Sequence, residues 1–285
     1  MEYIIEVEGL RKQYPEFALN DVSFKIPGGC IMGLIGENGA GKSTTLKAIL
    51  DLIHIDGGKI TVFGKSMKDH GIAIREDIGV VLDGAGFHGS LNITSIGAFM
   101  RKIYKNWDDS YYKSLCERFS LPATQRIQDY STGMRMKLLI GTAMAHRPKL
   151  LILDEATSGL DPVVRDEILD MLLEFIQDEE HSVLISSHIT SDLEKVADYI
   201  TFIHKGEIFL SEEKDEIMET YGIVHCKEED IVKIPKSYIV GVDRGTYRCD
   251  VMVSSREDVG RLLPECVIDR IRLEDVLLFK VKGER

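Results

Sequence analysis

The residues Gly36-Glu37-Asn38-Gly39-Ala40-Gly41-Lys42-Ser43 constrain this chain more than any other feature, because they satisfy every fixed position of G-x-x-x-x-G-K-[ST]. A polyphosphate can be enclosed only where many donors converge with no side chains in the way. Glycines let the backbone wrap so that N–H groups point inward, and a helix that follows adds the positive end of its dipole. The flanks meet that requirement. Ile31 to Ile35 is an unbroken apolar run ending at glycine, and Leu46, Ile49, Leu50 and Ile53 then recur at helical spacing, so 36–42 is a loop between a buried strand and an amphipathic helix. The candidate nucleotide contacts are Gly36, Glu37, Asn38, Gly39, Ala40, Gly41, Lys42, Ser43 and Thr44. Lys42 is expected to reach the β and γ phosphates and the Ser43 hydroxyl to bind Mg²⁺.

A second element lies far downstream. Leu150-Leu151-Ile152-Leu153-Asp154-Glu155 is an apolar strand that ends in two carboxylates, and the carboxyl end of a strand is where an open α/β sheet places ligand contacts. Asp154 suits the Mg²⁺ shell and Glu155 suits orienting or deprotonating an attacking water. Without the glycine loop, two acids facing solvent at a strand end would be the favoured reading; with it, the functional one is.

Composition restricts what else the chain can be. Of 285 residues, 44% are hydrophobic, 7% aromatic and 29% charged, so a packed interior is feasible and disorder is not expected. The balance of 35 Lys+Arg against 47 Asp+Glu leaves a formal charge of −12, which repels nucleic-acid phosphates and anionic headgroups. Glu2, Glu6 and Glu8 interrupt the apolar opening, unlike a secretory signal, and the longer apolar runs stop far short of the roughly 20 residues a membrane helix needs. Cys30, Cys116, Cys226, Cys249 and Cys266 form no CxxC pair and read as reduced thiols.

Val22, Phe24 and Ile26 alternate toward Pro27-Gly28-Gly29, which predicts a strand before the Ile31–Ile35 strand. From about Phe87 to Met144 the pattern is helical, with Tyr111, Leu115 and Phe119 on one face, and predicts an inserted helical subdomain over about 87–145. Leu150 to Leu153 and Val183 to Ser186 read as strands buried on both faces, joined by a helix over Val164 to Gln177, which is parallel βαβ logic. Tyr199 to His204 and Glu207 to Leu210 predict a closing hairpin. Beyond Thr220 a charged run, the short β-prone pieces 238–242 and 247–253, and a helical pattern near Arg272 to Phe279 predict a small α+β appendage over 219–285.

Other segments decide which kind of P-loop protein this is. Tyr130-Ser131-Thr132-Gly133-Met134 precedes the Leu150 strand, Ser158-Gly159-Leu160-Asp161 follows the two acids, Ser187-His188 ends the next strand, and Tyr14 lies upstream of the glycine loop. Over nearly all of 1–218 the chain resembles the nucleotide-binding domains of ABC transporters, with the segment at Tyr130 standing where that family carries LSGGQ. The resemblance implies an α/β fold: a P-loop core with a mostly parallel sheet, an N-terminal antiparallel β subdomain, the helical insertion and the C-terminal appendage. It implies ATP and Mg²⁺, with Tyr14 under the adenine, Asp161 in the D-loop and His188 as the switch histidine; stacking on Tyr14 tolerates other purines. It further implies that two such subunits, identical or related, close head to tail so that Ser131 and the Gly133 N–H of one meet the γ-phosphate held by the other. The partners implied are this second ATPase subunit and separate transmembrane permease subunits, with the chain cytoplasmic and peripheral on the membrane. No nucleic acid is expected.

Two motifs depart from the family pattern. Thr132 replaces a glycine and Met134 a glutamine of the signature, and Asp83 stands where the Q-loop glutamine aligns, after Ile78-Gly79-Val80-Val81-Leu82. A carboxylate at 83 can still ligate Mg²⁺, and it resembles the export and antibiotic-resistance branch. The competing readings are a soluble ABC ATPase acting on DNA or ribosomes, which the acidic balance and the single ATP motif disfavour, and a purely regulatory nucleotide sensor, which the presence of Glu155 disfavours.

Overall fold

A computed structural model describes residues 3–245 and 248–282, in two compact units, Met1–Leu210 and Ser211–Arg285. This division falls before the expected break at 218.

In the first unit, β1 (Tyr3–Gln13), β2 (Ala18–Pro27) and β4 (Gly57–Val62) form an antiparallel sheet in the order β2-β1-β4. A six-stranded sheet, β5-β6-β7-β3-β8-β9, carries the rest: β3 (Ile31–Ile35), β5 (Ile78–Val81), β6 (Leu150–Asp154), β7 (Ser182–Ser187), β8 (Tyr199–His204) and β9 (Glu207–Glu213). β2 and β3, adjacent in sequence, therefore belong to different sheets. Every residue of β3, β6 and β7 is buried, which is why these strands read as continuous apolar runs rather than alternating ones. Each fully covered Leu or Ile there contributes about 1.5–3 kcal/mol of transfer free energy.

The helices are α1 (Lys42–Ile49), α2 (Met67–Glu76), α3 (Ile93–Met100), α4 (Asp109–Arg118), α5 (Thr132–Met144), α6 (Pro162–Phe175) and α7 (Thr190–Val196). The helical stretch expected from Phe87 begins at Ile93, where Asn92 and Ser95 close a reciprocal capping box. On α4 the buried side chains are Tyr112, Leu115 and Cys116. Tyr111 is instead half-buried beneath the Arg147 guanidinium, 3.6 Å from its ring centre.

The register of the parallel strands aligns their carboxyl ends. Ile35 pairs with Ser187, Asp154 with Ser186, and Val81 with Leu153. The glycine loop, the two acids, His188 and Asp83 thus leave the sheet at one edge, on consecutive strands.

The second unit contains α8 (Lys214–Thr220), β10 (Gly222–Cys226), α9 (Glu228–Ile231), β11 (Ile239–Arg244), β12 (Cys249–Val253), α10 (Arg256–Leu262), β13 (Val267–Arg270) and α11 (Leu273–Lys282). Its sheet is antiparallel in the order β11-β12-β10-β13, over a core of Val224, Cys226, Ile234, Val251, Val253, Val259 and Leu263. Tyr247, the first residue of one expected strand, lies outside the described residues.

Candidate active site

The loop after β3 is shaped by its glycines. Gly39 and Gly41 adopt φ of 84° and 116°, a region that disfavours any Cβ. Gly36 is needed for space, since a Cβ there would fall 2.5 Å from the Ile203 carbonyl oxygen of β8. The turn after β8 grips the loop further. The Gly206 N–H donates to Ala40 O at 2.9 Å, and His204 Nδ1 lies 2.8 Å from Glu37 Oε1. A Cβ on Gly41 would meet Phe17 at 3.0 Å, so that ring also lies against the loop.

Lys42 opens α1 with 5% of its surface exposed. Its ammonium donates to Gly36 O at 2.7 Å and Glu37 O at 3.2 Å, and pairs with Glu155 Oε1 at 3.0 Å. Glu155 takes φ 52°, so the chain turns sharply off β6, a conformation of a kind that costs about 1–3 kcal/mol. Its N–H donates to Ser186 O and Oγ, both at 3.1 Å, and its second oxygen lies 2.6 Å from His188 Nδ1. One carboxylate thereby bridges the lysine and the histidine.

Asp154 is almost fully buried. Its Oδ1 accepts from Ser186 Oγ at 2.6 Å, while Oδ2 is buried with no hydrogen-bond partner among the described residues. A buried carboxylate oxygen left unmatched is costly, and a hard cation would relieve it. No three His, Cys, Asp or Glu side chains converge as a metal cage among the described residues. Ser43 and Thr44 are half-buried on the first turn of α1, whereas Glu37, Asn38 and Gly39 are exposed.

The remaining expected residues are placed as follows. Asp83 is exposed in the turn after β5, which the Ala85 N–H closes on Leu82 O. Tyr14 is exposed in a turn where its N–H donates to Phe17 O at 2.7 Å, with the Lys12 ammonium 5.3 Å from its ring centre. Ser131 caps α5, accepting from the Met134 N–H at 3.2 Å, and Asp161 caps α6, accepting from Val163 and Val164. Gly133 is buried, and a Cβ there would lie 3.1 Å from a Val164 methyl, so its lack of a side chain lets α5 approach α6.

Three residues of this region escape sequence reasoning: Ser186, which serves both acids, and Phe17 and His204, which touch the loop. Ser186 and His204 leave a weak signal, as polar residues near the carboxyl ends of apolar, buried strands.

A glycine loop between a buried strand and a helix, with an acid-tipped strand at the same sheet edge, defines a P-loop nucleoside triphosphatase. The family described as ABC transporter matches residues 19–158. The chain is 35% identical over 211 residues to the bacitracin transport ATP-binding protein BcrA of Enterococcus faecalis, covering 73% of this chain and 68% of that protein. It is 32% identical over 275 residues to the ABC transporter ATP-binding protein YtrB of Bacillus subtilis (strain 168), covering 94% of each. A solved ATP binding subunit of an ABC transporter superposes with a TM-score of 0.66 at 27% identity, over 75% of this chain and 91% of that one. The chain belongs to the ABC transporter ATP-binding proteins: it binds ATP and hydrolyses it to power transport through a separate membrane permease. No helix among the described residues is long and apolar enough to cross a membrane.

Proposed function

We propose that Glu155 is the group that acts on the attacking water, that Lys42 moves from Glu155 to the phosphates when ATP enters, and that His188 holds the Glu155 carboxylate in place. The observation that carries this reading is the Glu155 carboxylate, bound at 3.0 Å by Lys42 on one oxygen and at 2.6 Å by His188 on the other. An ammonium already held by an acid and two carbonyls keeps the loop folded before nucleotide arrives. Phosphate oxygens then replace those acceptors, which releases the carboxylate toward water.

Asp154, Ser43 and Asp83 are the candidate Mg²⁺ positions, and the unmatched Asp154 Oδ2 supports the first of them. The ion would supply charge stabilisation at the phosphates. Tyr14 takes the adenine, and the loop from Gly36 to Thr44 takes the phosphates. Ser131, Gly133 and Asp161 act across a head-to-tail dimer with an identical or related subunit. In this arrangement the chain is cytoplasmic and reaches the membrane through its permease. Similarity to a protein named for bacitracin transport, together with Asp83, supports an export role of the antibiotic type. The charge of −12 argues against a nucleic-acid partner.

Calorimetry with Mg·ATP on the wild type and Lys42→Ala tests the core of this reading. Binding is expected to weaken at least tenfold in the variant, with hydrolysis lost in it and lost in the wild type on adding a chelator. Unchanged turnover in Lys42→Ala would remove the role given to the loop.

A further inference from the structure

Arg165 lies on the first turn of α6 and reaches in two directions. Its Nη2 donates to Leu160 O at 3.4 Å, and its Nε lies 3.7 Å from Asp192 Oδ2 on α7. Asp192 is 2% exposed, and Arg165 is its ion-pair partner among the described residues. Lys195, the next turn along α7, is held instead by Asp166 at 2.7 Å, and both of those side chains are 59% exposed. The seam between α6 and α7 thus carries a buried ion pair and an exposed one. Water and salt screen the outer pair, whereas removing one partner of a buried pair strands the other charge.

The inner pair sits between two segments of the site. Leu160 directly precedes Asp161, the cap of α6, and Asp192 follows His188 by about one helical turn. The backbone between them is closed: the Ile189 N–H donates to Ser187 Oγ at 2.9 Å, and the Asp192 N–H to Ile189 O at 3.3 Å. A displacement of Asp192 is therefore carried to His188, whose Nδ1 lies 2.6 Å from Glu155. The His188 side chain is 40% exposed, so close packing does not hold the imidazole there; its turn does. Asp192 Oδ2 and Arg165 Nε make no hydrogen bond among the described residues, so charge rather than hydrogen-bond geometry joins them.

We propose that Arg165 and Asp192 are positioning residues for hydrolysis: they fix the His188 turn against the Leu160–Asp161 turn and so keep His188 on Glu155. This rests on the reading given above, that His188 holds the Glu155 carboxylate in place. One guanidinium then joins the turn assigned to the subunit interface to the turn that steadies the group acting on water.

The test uses the full chain, with phosphate release for turnover and calorimetry for Mg·ATP affinity. Asp192→Asn and Arg165→Gln should each lower kcat about tenfold or more, with KM and affinity within about threefold of wild type. Arg165→Lys keeps the charge and should recover part of the loss. Asp166→Asn with Lys195→Gln disturbs the same two helices at the exposed pair and should leave turnover within about twofold. Should Asp192→Asn melt below the assay temperature, Arg165→Gln, whose side chain is 27% exposed, carries the comparison. In a His188→Ala background either substitution should add no further loss, because both act through that histidine. Losses that multiply there, equal loss in the exposed-pair variant, or wild-type kcat in Asp192→Asn and Arg165→Gln would each overturn the proposal. His188→Ala alone tests the reading beneath it: unchanged turnover removes that reading and this proposal together, whereas reduced turnover there with wild-type kcat in the pair variants removes the pair alone.

Discussion

Glu155→Gln separates chemistry from binding at this site more cleanly than any other change. The amide keeps the shape of the side chain but has neither negative charge nor basicity. If Glu155 acts on water, turnover should fall by about 10²–10⁴-fold, equivalent to about 3–5 kcal/mol of barrier. Binding should respond in the opposite sense. Before ATP enters, the Glu155 carboxylate competes with phosphate for Lys42 at 3.0 Å, with side-chain exposures of only 5% and 13% to screen the pair. A charge-assisted contact of this kind is worth about 1.5–3 kcal/mol. An amide gives up part of it, so ATP affinity should hold or rise by up to roughly tenfold. Phosphate release measured against ATP concentration reads turnover, calorimetry reads affinity, and gel filtration with ATP should show the variant accumulating as a dimer. Turnover within about fivefold of wild type would refute the catalytic assignment. A parallel loss of turnover and affinity would show that Glu155 merely holds the loop's shape.

Two further changes probe the loop and the C-terminal unit. Gly36→Ala places a methyl 2.5 Å from the Ile203 carbonyl and 3.0 Å from Ala40 Cβ; with backbone as the obstacle, it should cost about 1–3 kcal/mol in a denaturant melt and weaken ATP binding about tenfold, and wild-type affinity would show that the loop has room. His225 lies between Asp250 at 2.7 Å and Asp269 at 2.9 Å. Its hydrogen bonds, to Asp250 foremost and then Asp269, raise its pKa above the ordinary histidine value, against burial and Arg248, which lower it. Since the folded pKa lies above the unfolded one, this stabilisation is complete below about pH 6.5 and is lost as pH rises through the folded value. Melting temperatures at about pH 6 and about pH 9 should therefore differ less in His225→Gln than in the wild type, and an unchanged difference would contradict the assignment.

The loop and the paired acids were legible because their chemistry is carried by the backbone and by strand ends. Glycines at 36, 39 and 41 and an apolar run before Asp154 can be read without knowing what surrounds them. The C-terminal residues were legible only as composition, since short strands with partial alternation do not reveal which of them are neighbours. Helical spacing groups Tyr111 with Leu115 and Phe119 but fits Tyr112 with them as well, and it is Tyr112 that is buried while Tyr111 lies under the Arg147 guanidinium.

What the sequence determined by itself is therefore local: a loop able to wrap phosphates, a strand able to deliver two acids, and strands too apolar to lie anywhere but inside a sheet. Tertiary structure alone decided that Glu155 spans Lys42 and His188, that Ser186 serves both acids, and that Phe17 and His204 brace the loop. The physical reason is that these contacts join segments distant in sequence: Lys42, Glu155, Ser186 and His188 meet because the parallel strands align at their carboxyl ends, and that alignment exists only once the sheet has formed.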